Sequence, residues 1–352
     1  MWKAIPVRIA GCVAMAACVA GCVILSPSIV TIRIKKQKSF LIARSEASRG
    51  WGYLSHPLIT PFSSSNVLLT YNYAGDWKGD AKHKDVVAVW PALSGDGGAT
   101  WQLGREAVGE ETMKWLWTGS ITDGADVYVY QLGVNYPCGI QAGWFEQGRL
   151  RVLMTNVTID LPPDLQPAKG AMMLCYKGVR QSNGDLVLTA QGRFGNDTKS
   201  SVIALHSTNQ GASFSYLSTV AAPANVSWVG KWSVGFEGPG ENSIVGLPNG
   251  DLLCVMRVGV KQFTVYEGAK TALRMLQARS SDGGRTWRRR CLPIEGVSPK
   301  LLRLSNGVLV LAFGRPGNSL AFSSDDGRIW GREIAITAAD INTTGYCDIM
   351  EV

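Results

Sequence analysis

Three stretches far apart in the chain share one pattern, S-x-D-x-G-x-x-W: Ser94-Gly95-Asp96-Gly97-Gly98-Ala99-Thr100-Trp101, Ser280-Ser281-Asp282-Gly283-Gly284-Arg285-Thr286-Trp287 and Ser323-Ser324-Asp325-Asp326-Gly327-Arg328-Ile329-Trp330. Ser207-Thr208-Asn209-Gln210-Gly211-Ala212-Ser213-Phe214 is a weakened fourth copy. The pattern is that of a turn. Ser and Asp side chains bond nearby backbone, Gly takes a conformation closed to other residues, and Trp fills the space between adjacent sheets. A turn repeated in this way requires a repeated strand unit, and its Asp reads as a staple of the fold although its acidity is inviting.

A second repeat interleaves with the first. In Gly240-Glu241-Asn242-Ser243-Ile244-Val245-Gly246-Leu247-Pro248-Asn249-Gly250-Asp251-Leu252-Leu253-Cys254-Val255-Met256-Arg257, apolar runs flank an Asn-Gly pair, the strongest short-range hairpin signal. Folding about a two-residue Asn249-Gly250 turn sets Leu247 opposite Leu252, Val245 opposite Cys254 and Asn242 opposite Arg257. Glu241 and Arg257 then finish side by side at the open end. The design recurs in Gln181-Ser182-Asn183-Gly184, leading to Arg193, and in Leu304-Ser305-Asn306-Gly307, leading to Arg315; Ser65-Asn66 opens a looser version that ends in Asp76. A hairpin ending in a mouth residue, followed by a strand into the next turn, makes a four-stranded unit, and radial repetition of such units is a β-propeller. Units are expected near 50–101, 108–165, 170–214, 228–287 and 296–330, with a sixth opening at Thr343 and cut short by Val352. The fold class is all-β, a six-bladed β-propeller whose last blade is truncated or open-edged. Ser28 to Ile34 is a candidate closing strand.

Residues 1–26 read as a leader and residues 27–352 as the propeller. Lys3 and Arg8 precede an apolar run from Ile9 to Ala20, the length of a signal-peptide core. Val19-Ala20-Gly21-Cys22 resembles a bacterial lipobox, so a lipidated Cys22, a plain signal and an uncleaved anchor all stand open; each implies export. At 46% hydrophobic the remainder can bury a large core. Beyond the leader, Cys138, Cys175, Cys254, Cys291 and Cys347 form neither a disulfide framework nor a CxxC metal pair, and they read as small buried apolar residues. No cofactor pattern is present. The net charge of +8 is densest at Arg288-Arg289-Arg290, read as a solvated strand edge, not a nucleic-acid surface, while the positive field favours an anionic ligand.

Taken together, the S-x-D-x-G-x-x-W turns, Glu241 sixteen residues before Arg257, Arg315 in Gly314-Arg315-Pro316-Gly317, and Gly345-Tyr346 about thirty residues later resemble the sialidases (neuraminidases) of the six-bladed propeller superfamily. The resemblance implies an exo-acting glycosidase that removes sialic acid or a related acidic sugar. In it Arg257 and Arg315 bind the sugar carboxylate, Tyr346 is the nucleophile and Glu241 its general base. Two guanidinium forks hold a carboxylate bidentately. The anomeric carbon already carries that carboxylate, so a neutral phenol activated by a neighbouring acid avoids the repulsion an anionic nucleophile would meet; sialidases are a known exception to the two-carboxylate rule.

One departure from the family is plain. Sialidases open with an Arg-Ile-Pro motif whose Arg completes the carboxylate clamp, and Leu54-Ser55-His56-Pro57 has Ser55 in that place. His56 or Arg193 could stand in, although Arg193 reads first as a rim or surface residue. The acid/base Asp falls among Asp76, Asp80 and Asp85, with Asp80 preferred because Asp85 runs directly into Val86-Val87-Ala88-Val89. Sialylated or other acidic glycans are the expected partners, with membrane contact only through the leader. A non-catalytic glycan-binding propeller and a hydrolase of uronate-bearing glycans remain the alternatives.

Overall fold

The computed structural model describes Ile42 and residues 53–63, 65–74, 87–103, 119–123, 126–130, 140–146, 149–174, 176–226, 236–260, 273–315, 317–337 and 345–351. Residues 1–26, expected to be a leader, the stretch from Ser28 to Ile34 and the residues Asp76, Asp80 and Asp85 lie outside these residues. Among the described residues no helix is long and apolar enough to cross a membrane. Apart from short 3-10 turns at Pro163–Leu165 and Pro223–Asn225, the regular structure is strand.

Strands β1 (Tyr53–Pro61), β2 (Val67–Ala74), β3 (Val87–Ser94) and β4 (Gln102–Leu103) form an antiparallel meander. β5 (Gly119–Asp123) pairs with β6 (Asp126–Tyr130), and β7 (Ile140–Glu146) with β8 (Arg149–Asp160). All four strands fall within the second unit expected near 108–165. β9 (Pro167–Leu174) adds to a later strand, β10 (Tyr176–Lys177) lies parallel to β5, and β11 (Val179–Arg180) leads into β12 (Leu186–Phe194), β13 (Ser201–Ser207) and β14 (Ser213–Ala221). The last sheet runs in chain order through β15 (Phe236–Gly246), β16 (Leu252–Val260), β17 (Leu273–Ser280), β18 (Arg288–Arg303), β19 (Leu309–Gly314), β20 (Asn318–Ser323) and β21 (Ile334–Thr337).

Five separate four-stranded units and the opening of a truncated sixth were expected; pairing instead groups the described strands into four open sheets. Two reasons are visible. β18 passes unbroken from β17, where Arg279 faces Arg288, to β19, where Arg303 faces Leu309, so two neighbouring units share one path. β14 takes β8 alongside it in parallel, Ser213 against Thr158, which joins two further units. Residues 345–351, where a sixth unit was expected to begin, form no strand.

The hairpin turn also differs from the two-residue expectation. Leu247 N–H donates to Asp251 O (2.8 Å) and Gly250 N–H to Leu247 O (2.9 Å), with Gly250 at φ 86°. This is a longer turn ending in a left-handed glycine, which shifts the register by one: Gly246 faces Leu252, Ile244 faces Cys254 and Asn242 faces Met256. The same bonds recur at Gln181–Gly184 and Leu304–Gly307. In each copy the Asn accepts the N–H two residues on, at 3.1 Å for Asp185, 3.2 Å for Asp251 and 3.1 Å for Val308. The Asn is used for that side-chain bond, and only the Gly supplies positive φ.

The S-x-D-x-G-x-x-W turns behave as staples. Ser280 Oγ accepts Gly284 N–H (2.8 Å), Asp282 accepts Thr286 N–H and Oγ1–H (2.9 and 2.6 Å), and Trp287 Nε1–H reaches Ser218 Oγ (2.9 Å) on the adjoining β14. Trp330 likewise donates to Gln277 Oε1 (2.8 Å) across to β17. The Ser207–Phe214 copy keeps the bonds with Asn209 in place of Asp. Between these staples sit apolar clusters shared by neighbouring units, such as Val187, Val202 and Val220 against Leu252, Met256 and Trp287. The Arg288-Arg289-Arg290 run is not merely a solvated edge: Arg289 donates to Val220 O and Thr219 O, and Arg290 to Gly327 O, so two of its members tie adjacent units together.

Candidate active site

Glu241 owes its position to the hairpin register. Between Asn242 facing Met256 and Gly240 facing Arg257 the ladder slips by one residue, leaving Glu241 as the extra residue of a bulge, a device that re-aims a side chain. Its carboxylate collects three donors: Arg257 Nη1 at 2.8 Å and Tyr346 Oη at 2.6 Å on Oε1, and Ser298 N–H at 3.0 Å on Oε2. Glu241 and Arg257 therefore do finish side by side, with Gly240 as the ladder partner of Arg257 and Glu241 as the extra residue beside it.

Tyr346 sits on the irregular strip 345–351 and is framed on two further sides. The Arg315 guanidinium lies 5.7 Å from its ring centroid, and the His56 ring centroid 3.9 Å away. Both partners have left-handed backbone, φ 62° for Arg315 and 51° for His56, a conformation that disfavours side chains and is concentrated at functional sites. His56 lies where the β1–β2 register breaks between Ser55 and Leu58. The Arg315 corner is crossed closely by the strip: a Cβ on Gly314 would stand 1.8 Å from Gly345 O. Only two glycines allow that approach.

The electrostatics divide the labour between acid and phenol. Burial pushes the Glu241 carboxyl up, but Arg257, the Tyr346 hydroxyl and Arg315 outweigh it, and the group stays below the usual glutamate range. Burial, then the Glu241 charge, push the Tyr346 phenol well above the usual tyrosine range, so the proton rests on the phenol and the charge on the acid. Burial pulls His56 down to about 4 despite the opposing pull of Glu241, making it a neutral ring near pH 7. A neutral hydroxyl held against an ionised carboxylate is the arrangement a base-activated nucleophile requires.

Of the residues singled out from sequence, Glu241, Arg257, Arg315, Tyr346 and His56 thus come together. Arg193 on β12 is exposed, and among the described residues it shares no hydrogen bond, ion pair or ring contact with them. Asp80 lies outside the described residues. Four neighbours had no sequence signal. Ser298 contributes only its backbone. Glu237 Oε2 stands 4.0 Å from Arg257 Nη2. Lys300, buried on β18, is lowered to about 7 by burial, with Asp348 the foremost charge opposing the fall. Asp348, two residues past Tyr346, could have been noticed as an acid beside the candidate nucleophile, but sequence gives no sign that it is buried. Among the described residues no group of three or more His, Cys, Asp or Glu could hold a metal ion.

The family model described as a BNR repeat-like domain matches residues 171–347, half of the chain. The chain belongs to the sialidase superfamily, in its BNR repeat-like family. Glu241, Arg257, Arg315 and Tyr346 lie within the matched residues of this BNR repeat-like chain and His56 lies before them. Among solved structures, a Dyadobacter fermentans protein of unknown function is 16% identical with a TM-score of 0.53, over 81% of this chain and 83% of that one. A Hadza microbial sialidase is 15% identical with a TM-score of 0.52, over 88% and 65%. A Trypanosoma rangeli sialidase in complex with the inhibitor DANA is 15% identical with a TM-score of 0.51, over 92% and 53%. The BNR repeat-like chain thus has the sialidase fold while spanning about two thirds and half the length of these two sialidases. No curated protein matches it in sequence.

Proposed function

We propose that the protein is an exported, exo-acting glycoside hydrolase that removes sialic acid or a related acidic sugar with retention, on a six-bladed propeller frame. The observation that carries this reading is the 2.6 Å bond from Tyr346 Oη to a Glu241 carboxylate that Arg257 also holds. Tyr346 Oη attacks the anomeric carbon while its proton passes to Glu241, and the bond to the leaving oxygen breaks as Asp80, in the preceding loop, supplies a proton there. Water then attacks the anomeric carbon from the face the leaving group vacated, opposite the tyrosyl bond, its proton going to Asp80, and Glu241 returns the first proton to the departing phenolate. Arg315, together with Arg257, grips the sugar carboxylate.

Turnover of an aryl sialoside by the full-length protein, lost in Tyr346→Phe, is the expected result; a wild-type protein that does not turn it over contradicts the reading. A second reading, a glycan-binding protein without turnover, draws on one observation. The place of the missing clamp arginine holds Ser55, and the adjacent His56 is a neutral ring packed on Tyr346, so one cation of the family's clamp is absent from that corner. Calorimetric binding of an acidic monosaccharide without hydrolysis would select it.

A further inference from the structure

Tyr346 has no strand ladder to hold it: residues 345–351 are irregular, and their place is set by anchors one at a time. The first charged anchor after Tyr346 along the chain is Asp348. The Asp348 side chain is fully buried, and its Oδ2 accepts Ile59 N–H of β1 at 2.7 Å, while its Oδ1 accepts Ile349 N–H at 2.8 Å and lies 3.4 Å from Lys177 Nζ. Lys177, on β10, also donates to Ile349 O at 2.9 Å. One carboxylate and one ammonium therefore join the strip to the first sheet and to the sheet containing β10. A second anchor lies further along, where Glu351 accepts Ser305 N–H and Oγ–H at 2.8 and 2.7 Å beside the Leu304–Gly307 turn. On either side of Asp348, Cys347 and Ile349 pack on the cluster of Val308, Val310 and Phe322, and Met350 packs on that of Ile59 and Leu69.

We infer that Asp348, locked by Lys177 and Ile59 N–H, is a positioning residue that fixes Tyr346 Oη at hydrogen-bond distance from Glu241. The inference rests on the reading of Tyr346 as nucleophile. Two physical points support it. A carboxylate with no exposure persists only where it is paired and hydrogen-bonded, so its location is strongly determined. Two residues of extended chain span only about 7 Å, so an anchor at 348 limits the excursion open to the phenol at 346. Asp348 touches no reacting atom; it acts through the strip.

The test uses the full chain and two readouts, kcat and KM on an aryl sialoside and hydrogen exchange of peptides covering 345–351. Asp348→Ala is expected to lower kcat by about 10²-fold, the scale of an ångström of misplacement, with KM nearly unchanged. It is expected to speed exchange in 345–351 by about tenfold or more, the loss of a buried charge-assisted bond, and to leave β16 protected. Asp348→Asn, which keeps an acceptor for Ile59 N–H, should recover part of both. Should Asp348→Ala fail to fold, Lys177→Met removes the partner while leaving the Ile59 bond, with the same directions expected. Exchange of 345–351 unchanged in the variants, or kcat unchanged in an active protein, would overturn the inference. A wild type that turns over no sialoside would instead count against the proposed activity, and the exchange comparison would still decide the role of Asp348.

Discussion

Glu241 gathers at one carboxylate the three groups that give the site its chemistry, and its removal is the sharpest change at the residue scale. Glu241→Gln keeps the shape but leaves Tyr346 without a base, so kcat is expected to fall by about 10²- to 10⁴-fold; a variant retaining wild-type kcat would show that the phenol is not activated there. His56 gives a pH signature. Above pH 6.5 the imidazole is neutral in folded and unfolded chains alike. As pH falls from 6.5 to about 4, the unfolded chain takes up the proton and the folded one resists it. Stability should drop through that window by up to about 3 kcal/mol, and His56→Phe should flatten the drop in denaturant midpoints measured against pH. Equal slopes for the two proteins would show that His56 is not the buried base it resembles. Sequence brought Glu241, Arg257, Arg315, Tyr346 and His56 forward because their spacing is local or family-specific. Asp348 and Lys300 stayed hidden because burial of a charge depends on which distant sheet covers it, and no short stretch encodes that.

At the scale of the element, the hairpin turns and the S-x-D-x-G-x-x-W staples were readable because their chemistry is local. Ser, Asp, Asn and Gly bond within four residues of themselves, so each copy folds alike wherever it stands. The register was misread by one because Asn249-Gly250 resembles a two-residue turn, whereas Pro248 precedes it and Gly250 alone takes positive φ. The bulge at Glu241 adds a second one-residue slip in the same direction, so that Gly240 and not Glu241 faces Arg257 in the ladder. Gly250→Ala is expected to destabilise by about 1–2 kcal/mol through its left-handed backbone. Trp287→Ala, which empties the junction between β14 and β17 and removes the indole donor on Ser218 Oγ, should cost about 3–5 kcal/mol in a denaturant titration. A loss under 1 kcal/mol there would mean that the staples hold only themselves.

For the whole molecule, the local repeats predicted where turns and strands fall along the chain, and not how the strands pair into sheets. Whether β18 breaks between two units or runs through both depends on long-range packing, and sixteen residues from Arg288 to Arg303 can do either without changing a motif. What unites the sheets at the site is the strip 345–351, which touches β1 through Asp348 and the Leu304–Gly307 turn through Glu351 while presenting Tyr346 to Glu241. The central claim is that these separate segments assemble one nucleophile. The most direct measurement is to incubate the full chain with a fluorinated sialic acid that slows breakdown of a glycosyl–enzyme bond, then map the adduct by peptide mass spectrometry. A sugar covalently attached at Tyr346, absent in Tyr346→Phe, is the expected result; an active protein that carries the sugar elsewhere, or no adduct at all, would contradict it.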